Sequence, residues 1–148
     1  MRNRERDPRR HLEKLLEDLK KYRDKVEGFR ESLESSRSLS ARLLSCLLFK
    51  VRCAMSQLED EVRGLLEISK GNVWGVVFAL DFIGEYVGMV KGIGDALHLE
   101  GLKILSRGAI KNIAGDLENL LMSLHFLMDD IAATSIEYSA LLLTKQDA

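Results

Sequence analysis

Few side chains in this sequence have the types and spacing that catalysis or metal binding requires. Its three histidines are far apart along the chain: His11, His98 and His125. His125 and Asp129 are four residues apart and would share a helix face, but two ligands do not complete a metal site. Cys46 and Cys53 are two helical turns apart, roughly 10 Å, which is beyond disulfide reach within one helix. The sequence therefore predicts a non-enzymatic, reduced protein with no catalytic residue, metal site or cofactor.

One acidic pair could do chemistry of another kind. Asp81 and Glu85 are four residues apart within an otherwise apolar segment, and residues 71–80 carry no charge. Because protonation would remove most of the cost of placing this segment in lipid, we predict the pair as a candidate pH trigger. The alternative is that both carboxylates lie at the rim of a helical bundle, in contact with solvent.

The composition predicts an all-α protein. The chain has 148 residues, 46% of them apolar and 30% charged, and its one proline is Pro8. Residues 1–70 carry 17 Lys or Arg and 13 Asp or Glu, whereas residues 71–148 carry 5 and 10. A charged half therefore precedes an apolar, glycine-rich half. Five arginines stand in the first ten residues, but no nucleic-acid-binding motif follows them, so we expect no nucleic-acid partner.

Apolar residues spaced three and four apart predict long amphipathic helices. Asp7 and Pro8 form a typical helix start, and Gly71 after Lys70 is a typical helix end. We predict a basic, disordered leader over residues 1–7 and one helical domain over 8–148, comprising a charged helical hairpin (8–70) and an apolar, glycine-rich region (71–148). The fourth segment, from Leu99 towards Leu143, is long for one helix, and a break is expected near "DDIAATS".

This pattern corresponds to a bundle of four to five helices in which two heptad-patterned helices cover a glycine-rich apolar hairpin. The predicted stripe of the first helix is Leu12, Leu15, Leu19, Tyr22, Val26, Phe29 and Leu33. That of the second is Leu44, Leu48, Val51, Met55, Leu58, Val62 and Leu65. That of the fourth is Ile110, Ile113, Leu117, Leu120, Leu124, Leu127 and Ile131.

Small residues recur at helical spacing in the apolar half. They form one series in steps of four and a second in steps of seven: Gly84, Gly88, Gly92 and Ala96, then Gly101, Gly108 and Gly115. Each glycine costs about 1 kcal/mol of helix stability relative to alanine. We predict that the two series face each other and let two helices pack closely. Such a seam fits a soluble bundle and also a hairpin that enters lipid as a unit.

Three stretches of the apolar half resemble the C-terminal region of the apolipoprotein L family: "EYVGMVK" (85–91), "LHLEGLK" (97–103) and "DLENLL" (116–121). The resemblance covers about a quarter of the chain, which is shorter than family members and lacks their long Gly/Ala-rich hairpin. It implies an intracellular helical protein that associates with lipid or membranes, linked to ion permeability and cell death.

A second set of residues resembles the B-cell-lymphoma-two family of apoptosis regulators. "GNVWG" (71–75), followed by Gly84, is similar to the first homology box of that family, with Val76 in place of the expected arginine. The spacing of four apolar residues and one aspartate resembles the family's short death helix: Tyr86, Val90, Ile93, Asp95 and Leu97. This resemblance implies binding of a partner by insertion of a helix into a groove.

We therefore predict a non-enzymatic protein that associates with a lipid or membrane surface and forms pores in the manner of apolipoprotein L. Residues 72–131 would be exposed when the first two helices withdraw or when Asp81 and Glu85 are protonated. One alternative is an apoptosis regulator that binds a helical protein partner, and another is a soluble coiled-coil adaptor or homo-oligomer. The expected location is cytoplasmic, peripheral on intracellular membranes.

Overall fold

The computed structural model describes residues 7–98 and 111–144, which form four helices. These are α1 (Pro8–Glu34), α2 (Leu39–Leu66), α3 (Val73–Ala96) and α4 (Lys111–Thr144). The all-α prediction is confirmed. The predicted leader, Gly101, Gly108 and the segment from Leu99 to Ile110 lie outside the described residues, apart from Asp7 at the end of the leader.

Each of the first three helices begins at a side-chain cap. The Asp7 carboxylate accepts a hydrogen bond from the Arg9 N–H at 3.0 Å, and Pro8 occupies the first helical position, as predicted. Ser38 caps α2, and Asn72 accepts from the Gly75 N–H at 3.0 Å at the start of α3. These oxygens satisfy N–H groups that have no partner within the helix.

The second helix is shorter than predicted. It ends at Leu66, four residues before Lys70. Gly71 does not cap this helix but lies in the turn to α3, with φ of 82°, and its N–H donates to the Leu142 carbonyl at 3.2 Å. This hydrogen bond connects the turn to the end of α4.

The four helices form a ring in which each packs against the helices before and after it, and α4 closes the ring against α1. The Arg9 guanidinium donates to the Leu66 carbonyl at 2.7 Å and to the Tyr138 hydroxyl at 2.6 Å. These bonds bring the start of α1 together with the ends of α2 and α4, so neighbouring helices run antiparallel.

The predicted stripes form the core. In α1 and α2 every predicted stripe residue is buried or packs against the core as a partly buried side chain, and five members of the α4 stripe are buried: Leu117, Leu120, Leu124, Leu127 and Ile131. The largest fully buried side chains come from all four helices or follow them directly: Leu12, Leu19, Leu33, Leu48, Met55, Leu58, Leu65, Ile83, Leu97, Leu117 and Met128.

The predicted break near "DDIAATS" is wrong, because α4 runs without interruption from Lys111 to Thr144. The polar residues of this stretch form hydrogen bonds within the bundle. Asp129 accepts a hydrogen bond from Lys91 at 2.6 Å, and Asp130 lies 3.1 Å from the His11 ring nitrogen. Asp130 also accepts from the Thr134 hydroxyl at 3.1 Å.

Candidate functional site

The third helix packs against the bundle through one face only. Its inner face consists of Val76, Ala79, Ile83, Val87 and Val90, which are buried and spaced three and four residues apart. Such spacing keeps every member on the side that faces α2 and α4. The remaining side of α3 has no described helix against it.

That uncovered side is apolar, and we call it the outer face of α3. Six large apolar side chains on it are between 40% and 70% exposed: Val73, Trp74, Val77, Phe78, Phe82 and Met89. The Trp74 and Phe78 rings are neighbours, with centroids 6.1 Å apart. Among the described residues α1 exposes no large apolar side chain, whereas α3 contributes six of the twelve exposed. The outer face therefore differs from an ordinary solvated helix surface.

The third helix also has the length and composition of a membrane-spanning helix. It has 24 residues, its most apolar 18-residue window has a mean hydropathy of 1.6, and 28% of that window is buried. A buried core helix can have the same composition. In α3 most of the window is not buried, which distinguishes α3 from a buried core helix. Apolar side chains on both faces normally indicate a helix that is covered on both faces, whereas α3 is covered on one.

The predicted glycine seam is wrong for its described members, whereas Gly101 and Gly108 lie outside the described residues. Gly84, Gly88, Gly92 and Ala96 are exposed on the outer face, and a Cβ atom at each glycine would meet nothing within 4 Å. Gly115 on α4 is likewise exposed and open. The four-residue spacing places the small residues on one face, as expected. However, valine and isoleucine occupy the core-facing positions, so the small residues face away from the bundle.

The acidic pair lies on the same surface. Asp81 and Glu85 are both exposed on the outer face, which corresponds to the alternative of carboxylates in contact with solvent. The nearby cation Lys91 is directed towards α4, where it donates to Asp129, and this hydrogen bond lowers the pKa of the Asp129 carboxyl. Lys91 therefore pairs with a carboxylate of α4. Asp81 and Glu85 share the outer face with the exposed aromatic side chains.

The residues predicted to anchor α3 in a partner's groove are used within the bundle. Val90 and Leu97 are almost completely buried, and Tyr86 and Ile93 pack against the core as partly buried side chains. Asp95 alone of this set is exposed. In the closed bundle these apolar anchors contact the core, so docking through them stays a prediction that would require α3 to leave the bundle.

Each of the three histidines lies near a carboxylate, and His98 and His125 line the same pocket at the end of α3. His125 is 3.6 Å from Asp129, and His98 is 3.9 Å from Glu118. Residues 7–98 and 111–144 contain no group of three or more side chains arranged to hold a metal ion. Cys46 is exposed, Cys53 is half-buried, and both are free thiols.

Sequence reasoning missed the exposed aromatic side chains as surface residues. Trp74, Phe78 and Phe82 were expected in a buried hairpin, since they belong to the least charged part of the chain. The available signal was that apolar residues fill both faces of this helix, more than the inner side of a four-helix ring requires.

Comparisons of the chain with protein-family models, with curated proteins and with solved structures find no match. The resemblances to the apolipoprotein L and B-cell-lymphoma-two families remain predictions from the residues quoted above. The outer face of α3 is therefore the feature of the described residues that points to a function.

Proposed function

We propose that the protein is a non-enzymatic helical bundle that binds lipid membranes reversibly through the outer face of α3. One observation carries this proposal: α3 has the length and apolar character of a spanning helix, yet six of its large apolar side chains are exposed. Exposed apolar surface of this extent normally marks a contact with lipid or with another protein. The same class of function is implied by the resemblance to apolipoprotein L.

The order of residues along the outer face favours shallow insertion. Lys70 is exposed just before α3, Trp74 and Phe78 follow in the first turns, and Asp81 and Glu85 come after them. Tryptophan favours the boundary between lipid headgroups and acyl chains, whereas carboxylates are costly in the hydrocarbon layer. The start of α3 would enter the interface first, and the acidic pair would limit the depth.

The expected affinity is that of a reversible membrane protein. Completely burying a valine, phenylalanine or methionine side chain is worth about 1.5–3 kcal/mol. The outer-face side chains other than Trp74 are 40–57% exposed, so each would contribute roughly 1 kcal/mol, and the set roughly 5 kcal/mol. This compares with one myristoyl chain, whose partition constant is about 10⁴ M⁻¹ and whose binding is reversible.

Loss of aromatic side chains from the outer face should weaken membrane binding. Trp74 is the only tryptophan, and it lies on this face, so its emission should shift to the blue when phosphatidylcholine vesicles are added. We expect the double variant Phe78→Ser/Phe82→Ser, which keeps this reporter, to reduce partitioning at least tenfold, about 1.4 kcal/mol. Vesicle flotation measures the same loss independently.

The matched control removes two exposed apolar side chains from α4. Phe126 and Ile136 are 67% and 62% exposed and belong to α4, not to the outer face of α3, so Phe126→Ser/Ile136→Ser should bind vesicles like the wild type. Equal loss in both double variants, or no flotation of the wild-type protein, would contradict binding through α3. Circular dichroism establishes that each variant remains helical.

Neutralising the acidic pair should strengthen and deepen membrane binding. In Asp81→Asn/Glu85→Gln the outer face keeps its shape but loses two negative charges, so we expect about a tenfold gain in partitioning. Brominated lipids should quench Trp74 more strongly in this variant than in the wild type. The control Asp24→Asn/Glu31→Gln makes the same charge change on exposed positions of α1 and should have little effect. A gain common to both variants would identify general electrostatics as the cause.

A second copy of the chain is the competing occupant of the outer face. The small residues Gly84, Gly88 and Gly92 leave open space there, which would let another helix approach closely. Sedimentation without lipid distinguishes the two occupants. A monomer that floats with vesicles supports lipid binding, whereas a stable oligomer that does not float would support self-association.

A further inference from the structure

An apolar pocket of about 120 Å³ lies between the end of α3 and the middle of α4, away from the aromatic side chains of the outer face. Val51, Val90, Leu121 and Leu124 line its interior, and all four are buried. For comparison, an engineered apolar cavity of about 150 Å³ in another protein holds benzene. The pocket is therefore on the scale of one small ring.

The pocket exists because a core position of α3 is occupied by glycine. Gly94 continues the inner-face series of Ile83, Val87 and Val90, where each earlier member fills the space between helices. A Cβ atom at Gly94 would meet nothing within 4 Å, and the backbone there is helical. The missing side chain is thus replaced by space that opens to solvent.

Counted over the described residues, the mouth of the pocket carries unbalanced negative charge. Lys91 is held by Asp129 at 2.6 Å, so its charge is already compensated. Asp95 is exposed at the mouth and has no hydrogen bond or ion pair to another described residue. His98 and His125 are the other titratable groups that line it, and each lies near a carboxylate. With histidines counted as neutral, the surroundings favour a cation.

We propose that this pocket binds a small arylalkylamine, with the ring among Val51, Val90, Leu121 and Leu124 and the ammonium group beside Asp95. The apolar interior supplies affinity for the ring, and the Asp95 carboxylate at the mouth selects the charge. This site is independent of the membrane proposal, since none of its lining residues belongs to the six exposed apolar side chains that carry it.

Titration of the full chain with phenethylamine tests the site. We expect binding with a Kd of about 1 mM, as befits a ligand of few atoms. Amide resonances of Gly94, Leu121 and Met122 should shift in spectra of the nitrogen-15-labelled protein. Phenylacetate carries the same ring with the opposite charge, and we expect it to bind about tenfold more weakly.

Two variants separate the ring site from the charge. Gly94→Leu places a side chain in the pocket and should abolish binding of both probes. Asp95→Lys reverses an exposed charge without touching the interior, so it should invert the preference and make phenylacetate the better ligand. Undiminished phenethylamine binding to folded Gly94→Leu, or an unchanged preference in Asp95→Lys, would overturn the proposal. Shifts confined to residues outside the pocket would overturn it as well.

Discussion

Replacing Gly84, Gly88 and Gly92 together by alanine is expected to raise the free energy of unfolding by about 2–3 kcal/mol. Each glycine stands inside α3, and a Cβ atom there would meet nothing within 4 Å. Alanine should therefore fit without strain, and each replacement reduces the conformational freedom that the unfolded chain loses on folding. Urea unfolding followed by circular dichroism gives the change directly.

Gly71 provides a control of opposite sign. Its φ of 82° places it in the left-handed region, where a side chain is strained, so Gly71→Ala should destabilise by about 1 kcal/mol. If the triple alanine variant were instead less stable than the wild type, the three glycines would have to contact another helix. Sedimentation of both proteins at the same concentration would then reveal whether that helix belongs to a second copy.

This prediction also bears on the proposed function. Three alanines add apolar surface to the outer face and remove no side chain from it, so membrane binding should persist or increase. If the variant is more stable and still binds vesicles, the glycines have no structural role in the isolated bundle. A variant that is more stable but no longer binds vesicles would indicate that lipid or a neighbouring helix approaches the backbone of α3 closely.

The core residues of α1 and α2 could be predicted because the spacing of their apolar residues identifies one buried face for each helix. Charged residues separate the apolar stripes there, so only one side of each helix can be buried. Leu12, Leu19, Leu48 and Leu58 accordingly lie in the core where their spacing placed them. The predicted helix end at Lys70 is wrong because Gly71 does not cap α2. Gly71 lies in the following turn and donates a hydrogen bond to α4.

The arrangement of α3 could not be predicted in the same way. Apolar residues lie on both of its faces, so periodicity identifies the residues that share a face but not the face that is buried. Gly84 and Gly88 were assigned to a contact because glycine is costly in a helix, yet Ile83 and Val87 fill the inner positions. Branched side chains fill space between helices that glycine would leave empty.

The break in α4 is predicted from the length of the segment, yet the polar residues at the predicted break do not interrupt the helix. Asp129, Asp130 and Thr134 disfavour the interior of an isolated helix, because their side chains compete for backbone hydrogen bonds. In the bundle those side chains bind partners on other helices or within α4. The continuity of α4 depends in part on contacts with distant segments. The spacing of residues along one helix does not reveal such contacts.

Removing the guanidinium of Arg23 is expected to destabilise the protein by about 3 kcal/mol at neutral pH. Its partner, Glu59, is buried at 3% exposure and accepts a hydrogen bond from the Arg23 Nη1 at 2.7 Å. In Arg23→Met the methionine keeps the apolar stem of the side chain, so the loss reports on the charge. A carboxylate left buried without its nearest cation is far more costly than the pair.

The pH dependence of stability should identify Glu59 as the source of this loss. Burial raises the pKa of Glu59 above its ordinary 4.5, although Arg23, Arg63 and Lys20 act in the opposite direction. The folded state therefore favours the protonated acid more than the unfolded state does. The contribution of Glu59 to stability is largest below pH 4.5 and falls as the pH rises through the raised pKa. Arg23→Met should accordingly lose less stability at pH 4.5 than at pH 7.

Substitution of Glu59 completes the test. Glu59→Gln keeps the shape of the side chain without the buried charge, so it should be neutral or stabilising by about 1 kcal/mol at pH 7. In Arg23→Met/Glu59→Gln most of the loss should disappear, giving a coupling energy of about 2 kcal/mol in the double-mutant cycle. The control is Arg63→Met, since Arg63 is 44% exposed and 3.9 Å from Glu59, and it should cost less than about 1 kcal/mol. Equal losses for Arg23→Met and Arg63→Met, or a double variant as unstable as Arg23→Met, would show that the buried carboxylate does not determine the effect.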